Sequence, residues 1–77
     1  MEELVEILAK ALVDQPEHVS VNVTEKEKSS VIQLRVAPED MGKVIGKHGR
    51  IAKAMRTVVK AAAIKERKKV FVEIDSI

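Results

Sequence analysis

Hydrophobic and polar positions along the chain alternate between a helical period and a period of two, and divide it into six elements. In residues 2–13, Leu4, Val5, Ile7, Leu8, Ala11 and Leu12 recur at helical spacing, with Glu2, Glu3, Glu6 and Lys10 between them. The pattern predicts an amphipathic helix with its acids at the N-terminal end, where the helix dipole favours them. Asp14-Gln15-Pro16 stops it. Val19, Val21 and Val23 then alternate with Ser20, Asn22 and Thr24, the period-two signature of a strand with one buried face. After a polar turn over 25–30, Ile32, Leu34 and Val36 alternate with Val31, Gln33 and Arg35, which predicts a second strand in a hairpin with the first.

Pro38-Glu39-Asp40 opens a short helix, with proline at the first position and acids in the first turn. Met41, Val44 and Ile45 are its apolar face, and Gly46 ends it. A longer helix restarts near Gly49 and runs to about Lys65, with Ile51, Met55, Val58, Val59 and Ala62 as its stripe and Ala52 and Ala54 beside it. Lys53, Arg56 and Lys60 fall on another face. After a basic connection, Lys65-Glu66-Arg67-Lys68-Lys69, the alternation of Val70, Val72 and Ile74 with Phe71, Glu73 and Asp75 predicts a last strand. The order α-β-β-α-α-β is that of an α+β domain with three helices packed on one face of a three-stranded mixed sheet. At 77 residues the chain forms one domain, 1–77, with a thin core.

Charge changes the picture. The net charge is only +2. Residues 1–37 nevertheless carry four Lys/Arg against seven Asp/Glu, and residues 38–77 carry ten against five. All ten of those bases lie between Lys43 and Lys69, where Glu66 is the only acid, so this window is +9. Such clustering fits a polyanion partner, although a solvated helix face produces it too. There is no cysteine, hence no disulfide and no thiolate metal site. His18 and His48 are 30 positions apart, and no serine sits in a nucleophile motif. Catalysis and cofactors are therefore not expected. No apolar run is long enough to span a bilayer, and the acidic start, Met1-Glu2-Glu3, is unlike a signal peptide. The expectation is a cytoplasmic protein with no membrane partner.

Inside the basic window lies Val44-Ile45-Gly46-Lys47-His48-Gly49-Arg50. A Gly-x-x-Gly turn between two helices lets another backbone approach closely and aims helix N-terminal N–H groups at it. The plainer alternative is that Gly46 is a helix C-cap and Gly49 a packing glycine. The turn is not a phosphate-binding loop of the nucleotide-hydrolysing kind, because His48 stands where that motif needs Ser or Thr. Phe71 is the only aromatic residue, which disfavours modules that stack bases on several aromatics.

The element order, with Gly-x-x-Gly between the fourth and fifth elements, resembles a type II KH domain over the whole chain. The run from Asp40 to Val59, DMGKVIGKHGRIAKAMRTVV, is similar to the KhpA family of small single-domain bacterial RNA-binding proteins. KH domains clamp about four nucleotides of single-stranded nucleic acid on this loop. The resemblance thus implies that Gly46, Lys47, His48 and Gly49 form the clamp, with Lys47 and Arg50 meeting phosphate and Lys43 and Lys53 reinforcing them one turn away. His48 takes a hydrogen-bonding role, since an ordinary imidazole is largely neutral near pH 7. Val44, Ile45 and Ile51 are candidate rests for bases, and Lys68, Lys69 and Phe71 candidate residues of the far groove edge. Many KH domains have a bulky aliphatic three residues after the second glycine; here that position is Ala52.

The expected function is single-stranded RNA binding with low sequence specificity, in the role of RNA chaperone or post-transcriptional regulator. The alternative is a protein-interaction module. Ile64 falls roughly opposite the apolar stripe of the long helix, on a face that should be wet, and is the candidate dimer contact. The resemblance implies homodimers and heterodimers with a larger Jag-type KH protein, KhpB.

Overall fold

The computed structural model describes residues 2–77. Helix α1 spans Glu2–Leu12, strand β1 Ser20–Glu25, strand β2 Ser29–Val36, helix α2 Met41–Ile45, helix α3 Arg50–Ile64 and strand β3 Lys69–Ser76. Single 3₁₀ turns at Pro16–His18, Pro38–Asp40 and Lys47–Gly49 precede β1, α2 and α3. The order is the predicted α-β-β-α-α-β, with the three helices on one face of the sheet, as in a type II KH fold.

β2 is the central strand. It pairs antiparallel with β1, from Ser20↔Arg35 to Glu25↔Ser30, and parallel with β3, from Ser29↔Lys69 to Val36↔Ser76. The hairpin is tighter than the polar stretch suggested: Glu25, Ser29 and Ser30 join the ladder, and the turn shrinks to Lys26, Glu27 and Lys28, closed by Lys26 N–H on Ser29 O at 2.7 Å. A parallel partner requires a crossover. Here α2 and α3 supply it, which holds the Gly-x-x-Gly loop at the far end of the crossover from the start of β3.

The core is small and aliphatic. Ile32, Leu34 and Val36 from β2 meet Val70 and Val72 from β3, Val44 from α2, Met55, Val59 and Ala63 from α3, and Val5, Ala9 and Val13 from α1 and its end. Val19, Val21 and Val23 pack against it partly buried, as the alternation predicted. Two helix stripes differ from the prediction. On α1 the seam is Val5, Ala9 and Val13, leaving Ile7 and Leu12 exposed. On α3 it is Ala52, Met55, Val59 and Ala63, leaving Val58 exposed and Ala54 outside. Alanine at the contact lets each helix approach its neighbours closely, and close packing outweighs the larger apolar area on the adjacent face.

Candidate nucleic-acid interface

The loop between α2 and α3 is held by backbone geometry. Gly46, at φ 76° and ψ 171°, occupies a region essentially reserved for glycine. Its N–H ends α2 by donating to Gly42 O at 2.9 Å, and Gly49 N–H then donates to Gly46 O at 3.1 Å. His48 (φ 59°) and Gly49 (φ 73°) are both left-handed, which reverses the chain within one turn. A Cβ on Gly46 would lie 2.6 Å from Cγ1 of Ile51, so glycine is required there for space as well as for conformation. No atom lies within 4 Å of the corresponding point on Gly49, which needs only its dihedral. Ile51 thus fills the floor beneath the loop, while Ala52 is buried in the α3 seam.

This backbone turns the side chains of Lys47, His48 and Arg50 outward, and all three are exposed. No side chain caps α3, whose N-terminal end carries the positive end of the helix dipole toward the loop. Among the described residues, Lys47, Arg50 and Lys53 enter no ion pair. Their charge is available to an anion.

Lys43 is placed differently from the expectation. Its ammonium is hydrogen-bonded to Asp14 and lies 3.9 Å from Oδ1 of Asp40. The bond to Asp14 raises its pKa above the ordinary lysine value, with attraction to Asp14 and Asp40 adding and desolvation opposing. Two carboxylates already share this charge, so Lys43 braces the fold beside the loop. Asp40 is buried and anchors the same brace: its carboxylate accepts the N–H groups of Asp14 at 3.3 Å and Gln15 at 3.0 Å. The segment after α1 is thereby fastened to the start of α2.

Val44 is fully buried and belongs to the core rather than to a base-binding surface. Ile45 and Ile51 are half-buried at the loop's foot. A separate groove of about 490 Å³ lies between α3 and the outer edge of β3, lined by Val31, Arg56, Lys60, Val70, Phe71, Val72 and Glu73. Arg56 Nε donates to Val72 O at 3.2 Å. Arg56 and Lys60 were not among the sequence-derived candidates. Their common face with Lys53 was the signal, but only the fold sets that face along β3. Phe71 is exposed on the groove and Lys69 on the same strand. Lys68 is half-buried, its Nζ 3.9 Å from Oε1 of Glu25. Ile64 is exposed, as expected, and shares a concavity with Phe71.

The described residues hold no helix long and apolar enough to cross a membrane. They bring no three His, Cys, Asp or Glu together in a group able to hold a metal ion. His18 is exposed in its 3₁₀ turn, 3.9 Å from Glu17.

Sequence comparison finds the KH domain of KhpA/KhpB matching residues 2–74. An RNA-binding protein KhpA of Clostridium perfringens is 72% identical over 74 residues, covering 96% of this chain and 99% of that protein. RNA-binding proteins KhpA of Caldanaerobacter subterraneus and Clostridium acetobutylicum are 65% and 62% identical over the same length and the same shares. Among solved structures, Era from Aquifex aeolicus superposes with a TM-score of 0.67 over 99% of this chain at 20% identity. Era in complex with a nucleotide and a segment of 16S ribosomal RNA gives 0.62 over 97% at 21%. The chain spans only 30% and 29% of those Era chains, and at such identity the likeness is one of fold.

Proposed function

Because this chain belongs to the KhpA/KhpB KH-domain family, we propose that it binds single-stranded RNA on the Gly46–Gly49 loop and along the groove between α3 and β3. The observation that carries this reading is the loop itself: a backbone kept bare by two glycines, with Lys47 and Arg50 in no ion pair among the described residues, beside a start of α3 that no side chain of those residues caps. About four nucleotides would lie across it, phosphates against the loop and bases toward Ile45, Ile51, Arg56 and Phe71. Few side chains are placed to read base edges, so affinity rests on phosphate contacts and sequence preference is low. The family is one of binding domains rather than enzymes. The cellular role that fits is cytoplasmic and post-transcriptional, including RNA chaperone activity.

The test is RNA binding by Lys47→Asp/His48→Asp against wild type across salt. Two acids in the loop repel phosphate and leave the core untouched. Binding should fall at least tenfold; a folded variant with undiminished binding overturns the clamp.

Ile64 supports a second reading. At 75% exposure it is a large apolar side chain left in water beside Phe71, itself 55% exposed. A single exposed isoleucine needs no explanation, but a joint patch with the only aromatic residue fits a protein contact. Self-association, or association with a KhpB/Jag-type KH protein, uses that patch. Ile64→Lys, followed by sedimentation, should lower the dimer fraction; an unchanged dimer removes Ile64 from the contact.

A further inference from the structure

The end of the domain opposite the Gly-x-x-Gly loop carries a second set of cations. Two connections meet there, the turn between β1 and β2 and the segment between α3 and β3, joined by Lys69 N–H on Lys28 O at 3.2 Å. Lys28, Arg67, Lys68 and Lys69 line one open concavity of about 720 Å³ with Ser29 and Ile64, and among the described residues no carboxylate lines it. Lys28, Arg67 and Lys69 are exposed and enter no ion pair among those residues, while Lys68 reaches Glu25 at 3.9 Å. The fold creates this cluster, since Lys28 belongs to the half of the sequence with an excess of acids. Arg67 marks it further. At φ 57° it is, with His48, one of two non-glycine residues in a left-handed conformation among the described residues, and the two stand at opposite ends of α3. Glycine would close a helix end there without strain. An arginine held in that conformation points to a use for its side chain.

We propose that Lys28, Arg67, Lys68 and Lys69 hold backbone phosphates of a single-stranded RNA whose other nucleotides lie on the Gly46–Gly49 loop, so that one strand is gripped at both ends of α3. This rests on the RNA-binding reading above. The planar guanidinium of Arg67 meets two phosphate oxygens at once, and the lysines add point charges around it. The two grips are the length of α3 apart, and its 15 residues rise about 22 Å. A strand stacked at roughly 3.4 Å per nucleotide crosses that distance in about six nucleotides, more than the roughly four that a KH loop clamps. The surface leading to the patch suits a strand. Lys60, Val70 and Phe71 line both the groove between α3 and β3 and the concavity next to it, and that concavity reaches Ile64, Lys68 and Lys69 of the patch. The chain therefore favours strands longer than its loop alone holds.

The decisive variant is Lys28→Ala/Arg67→Gly, with binding of a ~4-nucleotide and a ~12-nucleotide oligoadenylate measured across salt. Arg67→Gly removes the guanidinium and relieves the backbone at the same time, so a weakened fold does not account for lost binding; thermal melts check this. The longer strand should bind roughly tenfold more weakly, and its log–log salt slope should flatten by about 1.4, two phosphate contacts at ~0.7 each. The short strand should bind as it does to wild type. A folded variant with wild-type affinity for the longer strand overturns the second grip. So does an equal loss for both lengths, which is a diffuse effect of net charge, and so does a binding loss that accompanies a changed oligomeric state in sedimentation velocity. Wild type that binds neither strand overturns the RNA reading and the patch with it. Binding that is lost in Lys47→Asp/His48→Asp but untouched in Lys28→Ala/Arg67→Gly keeps the loop and removes the patch.

Discussion

Cγ1 of Ile51 lies 2.6 Å from the point where Gly46 would carry a Cβ. The loop and its floor are therefore one unit, and the two glycines of the motif are not equivalent. Gly46→Ala meets both a forbidden backbone region and the Ile51 side chain, and should cost about 2–3 kcal/mol. Gly49→Ala meets only the left-handed penalty in open space, about 1 kcal/mol. Urea unfolding midpoints of the two variants check the order. Equal losses would mean that Ile51 yields freely to the extra methyl group.

Asp40 binds together two segments 25 residues apart. Asp40→Ala removes a buried carboxylate that accepts two backbone N–H groups, and leaves those donors behind. The loss should be about 2–3 kcal/mol, which for a domain this size lowers Tm by roughly 10–20 °C. Asp14 is three-quarters exposed, so Asp14→Ala should cost far less. Differential scanning calorimetry of the pair separates the buried anchor from the surface partner.

Two positions should gain stability. Arg67 follows α3 in a left-handed conformation (φ 57°) that favours glycine at helix ends. Arg67→Gly relieves it and should add about 0.5–1 kcal/mol. Gly42 lies within α2, and a Cβ added there would meet no atom within 4 Å, so Gly42→Ala should add a similar ~0.5–1 kcal/mol. Chemical denaturation of each variant and of the double variant checks both values. The sites share no contact, so the gains should be additive.

The strands were legible because each has one buried face: Val19 to Val23 and Ile32 to Val36 alternate cleanly, and burial follows the alternation. The loop was legible because Gly46 and Gly49 are demanded by local backbone geometry. The helix faces were only half legible. Hydrophobicity ranks Ile7, Leu12 and Val58 above Ala9, Ala52 and Ala63, but the contact surface selects the small residues because only they allow close approach. The hydrogen-bond partners of Asp40 and Arg56 were not legible. The partners of Asp40 are backbone N–H groups brought in from the end of α1, and the partner of Arg56 is a carbonyl on β3. Nothing in local spacing encodes either.

Lys43 and Lys47 lie four positions apart and should behave as opposites. Lys47 is exposed and unpaired among the described residues, so Lys47→Ala should remove one phosphate contact and flatten the salt dependence of RNA binding by about 0.7 in log–log slope. Lys43 is held by Asp14 and Asp40, so Lys43→Met should leave that slope nearly unchanged and act on stability instead. The sign of its pH dependence follows from the direction of its shift. The pKa is raised above 10.5 in the folded chain. Its contribution is therefore fully present below the unfolded value and is lost as pH climbs through the folded one. Thermal melts of wild type and Lys43→Met from about pH 9 to about pH 12 should converge at the alkaline end. A constant difference would mean that Lys43 stabilises through its methylene stem. A slope change in Lys43→Met as large as that in Lys47→Ala would return Lys43 to the phosphate-binding set.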